Sequence, residues 1–207
     1  MDAFKTFIAL LALINPIGVL PMFISLTRGH TAAENQRTIR AASLTVIVVV
    51  TVCALLGEQI IGFFGISIAS LQVAGGLLIL LMSLSMLNGQ MGGARTTAEE
   101  ENEAENKATL GVVPLGIPLL TGPGAISTVI VYANKAHGAG DYAIIIGCGF
   151  VLAALVWLTL QLAQPITRIM GRSGINIATR IMGLLVAAVA VEFIVDGLKT
   201  MLPVLGV

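Results

Sequence analysis

The chain has 207 residues, 57% hydrophobic and only 11% charged, with 11 basic and 11 acidic side chains balancing to zero and a mean hydropathy of +0.97. Soluble domains carry about 25% charged residues, so a water-facing globule is excluded. A nucleic-acid binder, which needs a basic excess, and a disordered chain, which needs low hydrophobicity, are excluded too.

What remains is an all-helical integral membrane protein. Six stretches are apolar for long enough to cross a ~30 Å hydrocarbon core as helices. They fall at about 4–26, 40–62, 66–88, 111–133, 142–164 and 177–200. The first opens like a signal peptide, with Lys5 ahead of Phe7-Ile8-Ala9-Leu10-Leu11. It then runs on through Asn15-Pro16 without a small-residue cleavage pattern, so a retained helix is expected. A loop with Arg28, Glu34, Arg37 and Arg40 follows. The second span carries Cys53 and ends near Glu58, read as interfacial. The third opens on Gly65-Ile66-Ser67-Ile68-Ala69-Ser70 and carries Gln72, read as bonding backbone across helices, and the packing pair Gly75-Gly76. Segment 89–110, with Arg95, Glu99, Glu100, Glu101, Glu103, Glu105 and Lys107, reads as an acidic, solvated cytoplasmic tether. The fourth span holds Pro114, Pro118 and Pro123. The fifth holds Cys148, read with Cys53 as a small buried side chain, and the sixth holds Glu192 and Asp196.

Lys and Arg set the orientation. Loops after spans 1, 3 and 5 carry Arg28, Arg37, Arg40, Arg95, Lys107, Arg168, Arg172 and Arg180, against Lys5, Lys135 and Lys199 on the other side. The bias predicts the odd-numbered loops in the cytoplasm and both termini outside.

The tether divides the chain into residues 1–88 and 111–207, three spans each, and an odd number per half inverts the second copy. Leu13-Ile14-Asn15-Pro16 matches Leu120-Thr121-Gly122-Pro123 at an offset of 107, and Gly65–Ser70 resembles Gly174-Ile175-Asn176-Ile177-Ala178-Thr179 at an offset of 109. Five of the seven prolines fall in spans 1 and 4. Proline withdraws a backbone donor and frees a carbonyl that lipid cannot satisfy, so both helices are expected to break where protein or water faces them. Paired breaks at matching depth in two halves point to a transporter's midplane site. Helix kinks with no ligand are the plainer alternative.

Asn15, Pro16 and Gly18 at the first break, and Thr121, Gly122, Pro123, Gly124 and Ser127 at the second, are the candidate substrate-binding residues. Restarting helices offer N–H groups to a carboxylate, while freed carbonyls and Asn15 suit an ammonium. With no full charge at either break, a small neutral zwitterion is the natural ligand. Glu192, near mid-membrane, is the candidate proton carrier. Asp196 is read as paired with Lys199, and Arg180 as an interfacial anchor, with contact to a substrate carboxylate as the alternative. The two histidines, His30 and His137, lie in loops on opposite sides, Thr121 and Ser127 have no base in reach, and no phosphate loop is present. No enzyme activity, catalytic residue, metal or cofactor is therefore expected.

Asn15-Pro16-Ile17-Gly18, Pro21-Met22-Phe23, Pro118-Leu119-Leu120-Thr121-Gly122-Pro123-Gly124-Ala125-Ile126-Ser127 and Arg180-Ile181-Met182-Gly183-Leu184-Leu185 resemble the MarC family of bacterial inner-membrane proteins, over nearly the whole chain outside the tether. The resemblance implies six spans and movement of small neutral amino acids, glycine and alanine among them, with coupling to protons. The expected function is thus a secondary transporter or exporter whose partners are a small-molecule substrate and the bilayer, acting alone or as a homo-oligomer. A passive channel or a non-transporting partner subunit is the alternative.

Overall fold

The computed structural model describes residues 2–89, 110–113 and 115–202, and every element in it is helical. The acidic tether, apart from its ends, and Pro114 lie outside the described residues. Helix α1 (Ala3–Ile14) starts on Asp2, whose Oδ1 accepts from the N–H of Phe4 at 3.0 Å. The chain breaks, restarts as α2 (Leu20–Leu26), turns, and enters α3 (Ala32–Phe63) through a reciprocal cap. There Thr31 N–H donates to Glu34 Oε2 at 2.7 Å and Glu34 N–H to Thr31 Oγ1 at 3.3 Å, satisfying two N–H groups that the first turn cannot. This cap explains why α3 begins eight residues before the apolar run: Ala32–Ile39 is helical but polar. Helix α4 (Ile68–Leu87) is capped by Ser67.

A π-type turn, α5 (Leu115–Leu120), and helix α6 (Pro123–Asn134) replace the expected fourth span. Helix α7 (Ala139–Gln161) follows, then α8 (Ala163–Met201), where Gly171 at φ 61°, ψ −179° separates a short first segment from a long second one. The loop expected between spans 5 and 6 is therefore mostly helix, since Pro165 sits in a first turn, where its missing N–H costs nothing.

Among the described residues α3, α4, α7 and α8 are long and apolar enough to cross a membrane. Segments 3–26 and 115–134 are not continuous spans but broken ones. Leu44, Leu81, Phe150, Trp157, Leu158 and Leu184 are among many large apolar side chains left exposed, the surface that lipid covers.

Two buried clusters hold the bundle together. One joins Leu10, Ile14 and Leu20 to Val46 and Val50 of α3 and Ile145, Leu152 and Val156 of α7. The other joins Ala12 and Leu13 to Ile79 of α4 and Val186, Ala190 and Phe193 of α8. Helices α1 and α6 contribute to both, so the two broken segments lie at the centre, with α3 packed on α7 to one side and α4 on α8 to the other. The α4–α8 seam is close because glycines form it. A Cβ on Gly76 would stand 3.0 Å from Ala190 O, one on Gly183 3.2 Å from Ser83 O, and one on Gly197 2.9 Å from Ala69 O.

Candidate functional site

Helix α1 ends because Pro16 cannot donate the next helical hydrogen bond, so the carbonyl of Ala12 loses its i+4 donor. Asn15 N–H makes the last one, to Leu11 O at 2.9 Å. Asn15 then takes a left-handed conformation, φ 42° and ψ 67°, and is the one non-glycine residue at positive φ among those described. Asparagine tolerates this region because its short side chain closes a local turn. Here Asn15 Oδ1 accepts from Gly18 N–H at 3.2 Å, and the carbonyl of Asn15 accepts from the same N–H at 3.0 Å. The Asn15 amide lies directly over the α-carbon of Gly18, leaving no room for a side chain there. Pro16 and Gly18 are buried and Asn15 is half-buried.

The second break is built differently. In α5 the N–H groups reach five residues back: Gly116 to Gly111 O at 3.1 Å, Ile117 to Val112 O at 2.8 Å, and Thr121 to Gly116 O at 2.9 Å. Ile117 itself is extended, at φ −126° and ψ 129°. The turn lies flat on α3, since a Cβ on Gly116 would sit 2.6 Å from Thr45 Cγ2. Thr121 is fully buried and its Oγ1 donates to Gly116 O at 2.7 Å. Gly122 precedes Pro123 at the first position of α6, and no side chain caps this end. The N–H groups of Gly124 and Ala125 therefore have no intrahelical acceptor.

The structure brings the two breaks together. Leu13, one turn of chain before Pro16, places its Cδ2 3.6 Å from where a Cβ on Gly124 would stand. Helices α1 and α6 have 12 residues each, about 18 Å at 1.5 Å per residue, so each reaches only part way through a ~30 Å core. A C-terminal helix end carrying carbonyls and an N-terminal end carrying N–H groups thus meet inside the bundle.

The hydroxyl protons of the second break are engaged with the main chain. Besides Thr121, Ser127 Oγ donates to Gly124 O at 3.1 Å and Thr128 Oγ1 to the same oxygen at 2.8 Å. Their oxygens keep acceptor capacity, and the remaining donors are backbone N–H groups and the Asn15 amide. Pro123 is exposed, whereas Gly122, Gly124 and Ser127 are buried.

Glu192 is exposed on α8. Two expectations need correction, the partner of Asp196 and the bonding of Gln72. Asp196 pairs with Lys135 at 3.2 Å, not with Lys199, because the C-terminal end of α6 lies against α8. Glu58 accepts from Asn134 Nδ2 at 3.1 Å at the same end of the bundle. Gln72 is 4% exposed, yet its Nε2 bonds no backbone and has no partner. Both cysteines are free thiols, Cys148 buried and Cys53 half-buried.

These features, an apolar helical bundle with two central broken helices, define an integral membrane protein. The chain matches the family description "MarC family integral membrane protein" over residues 2–202, and it belongs to that family. It is similar to UPF0056 membrane protein YhcE of Escherichia coli (strain K12), 41% identical over 97% of this chain and 93% of that one. UPF0056 membrane protein YvbG of Bacillus subtilis (strain 168) is 38% identical over 96% and 95%. MJ1677 of Methanocaldococcus jannaschii is 35% identical over 93% and 94%. No solved structure matches the chain at a significant level.

Proposed function

We propose that this protein is an inner-membrane secondary transporter or exporter of small neutral amino acids. The observation that carries the reading is the meeting of the two breaks, Leu13 against Gly124, at the centre of the bundle. Opposed helix ends suit a zwitterion: N–H groups of Gly124 and Ala125, with the Asn15 amide, face its carboxylate, and the open carbonyls at the end of α1 face its ammonium. Pro16, Gly18, Thr121, Gly122, Pro123 and Ser127 shape the two breaks. Glu192 is the proposed proton carrier. Both termini lie outside, as the distribution of Lys and Arg favours.

Alternating access in this reading comes from an inverted repeat of two three-span halves. The α4–α8 seam supports it. An offset of 107 carries Gly76 to Gly183, Ser83 to Ala190 and Leu87 to Ile194. A Cβ on Gly76 would stand 3.0 Å from Ala190 O and 3.1 Å from Ile194 N; one on Gly183 would stand 3.2 Å from Ser83 O and 3.3 Å from Leu87 N. Each contact is the image of the other with the helices exchanged. The same offset relates His30 to His137, each ahead of a helix, and Glu34 to Asp141, each in a first turn.

The test is flux of labelled glycine and alanine into liposomes carrying the purified protein, with and without an imposed pH gradient. Uphill accumulation supports the transporter. Downhill flux that no gradient can drive makes it a channel, and absence of flux from folded protein removes the amino-acid reading.

A further inference from the structure

Away from both breaks, a cavity of about 510 Å³ opens at the end of the bundle where the α2–α3 turn meets the α7–α8 corner. Its volume lies in the range of small-molecule sites, and its wall is unusually polar for a membrane bundle. Arg28, His30, Asn35, Gln36, Gln161 and Gln164 all line it. Gln36 and Gln161 form a reciprocal amide pair, Nε2 to Oε1 at 2.9 and 2.8 Å, that ties α3 to α7 and fixes one side of the wall. Each keeps a second N–H to offer.

Two atoms in this wall have no partner. His30 Nδ1 and Asn35 Oδ1 are both buried without a hydrogen bond. Such groups are uncommon, because a polar atom cut off from water and from protein is costly, and they call for an explanation. Both can accept, His30 when the ring proton is on Nε2, and both residues line the cavity. Arg28 is exposed at the same wall and supplies a fixed positive charge. Two acceptors suit an ammonium group, and a guanidinium suits a carboxylate.

We propose that this cavity is a second ligand site, for a zwitterion of dipeptide size, with Asn35 Oδ1 and His30 Nδ1 taking the ammonium end and Arg28 the carboxylate end. The volume has room for a dipeptide. The site shares no residue with the breaks and does not depend on the transport reading.

The chain has two histidines, so histidine labelled with ¹⁵N gives two imidazoles to follow in the intact protein in nanodiscs. Titration with L-alanyl-L-alanine should move the His30 ring nitrogens in a saturable way and leave His137, in the α6–α7 turn, in place. Methylammonium alone and acetate alone should not reproduce the shift at equal concentration. Asn35→Ala should weaken binding about tenfold or more, since a hydrogen bond to a charged group is lost, with no fall in thermal midpoint because Oδ1 bonds nothing in the fold. The proposal is overturned by an unmoved His30, by equal shifts at both histidines, by acetate or methylammonium alone matching the dipeptide, or by unchanged affinity in Asn35→Ala. Dipeptide binding at His30 in folded protein that moves neither glycine nor alanine would leave this site standing and fault only the transport reading.

Discussion

Ser127 of α6 stands against Gly75 of α4: its Oγ lies 2.5 Å, and its Cβ 2.7 Å, from the point a side-chain carbon on Gly75 would occupy. The start of α6 is thus held by a contact that admits no added atom. Gly75→Ala should cost about 1–3 kcal/mol from overpacking, despite alanine's better helix propensity. Ser127→Gly in the same chain should recover most of that loss. Thermal unfolding in detergent of both singles and the double checks it; strictly additive effects would mean that the two residues do not meet.

The Asn15 turn separates backbone from side-chain roles. Asn15→Gly keeps the left-handed backbone at little strain and removes only the amide, whereas Asn15→Ala also strains the turn. Both should insert normally and transport poorly, with Asn15→Ala less stable by about 1 kcal/mol. Normal flux in Asn15→Gly would mean that the amide does not touch substrate.

Thr121→Val keeps shape and removes the Oγ1 bond to Gly116 O. Because the residue is fully buried, a loss of about 1 kcal/mol is expected. Thr121→Ser should remain near wild type. Equal midpoints for Thr121→Val and wild type would show that the hydroxyl does not hold the break.

Lys135 and Asp196 are half exposed, 50% and 54% by side chain. Water and salt screen such a pair, so Lys135→Gln should change stability by less than about 1 kcal/mol. Any effect should vanish in high salt, and unfolding midpoints at two ionic strengths decide it.

Glu192→Gln bears on coupling. The variant should still bind substrate but lose dependence of flux on the pH gradient. An unaltered gradient response would remove Glu192 from the transport cycle.

Much of the fold could be read from hydropathy alone. The predicted 66–88 and 142–164 lie within three residues of Ile68–Leu87 and Ala139–Gln161, because lipid-facing and core-facing residues are both apolar there. Where helix runs on in polar sequence the signal fails. Thr31 with Glu34 three residues later was a legible start for α3, but Ala163–Met170 carried no equivalent mark. The breaks were visible as prolines, while the back-bonding of Thr121, Ser127 and Thr128 depends on which carbonyls are freed. The partner of Asp196 sits 61 residues away, beyond any local rule, and the unpartnered amide of Gln72 requires knowing what does not lie beside it.

The half-length of α1 and α6 also bears on biosynthesis. Neither 12-residue helix covers the hydrocarbon thickness alone, and the open groups at their inner ends are shielded only once α3, α4, α7 and α8 surround them. The nascent chain therefore has no stable broken segment to hand over to the bilayer early. Residues 3–26 are therefore expected to settle together with α3, the break at Asn15 being covered only when the second half arrives. The meeting of the two breaks is then the closing event of assembly, and a chain halted before α6 would lack it altogether.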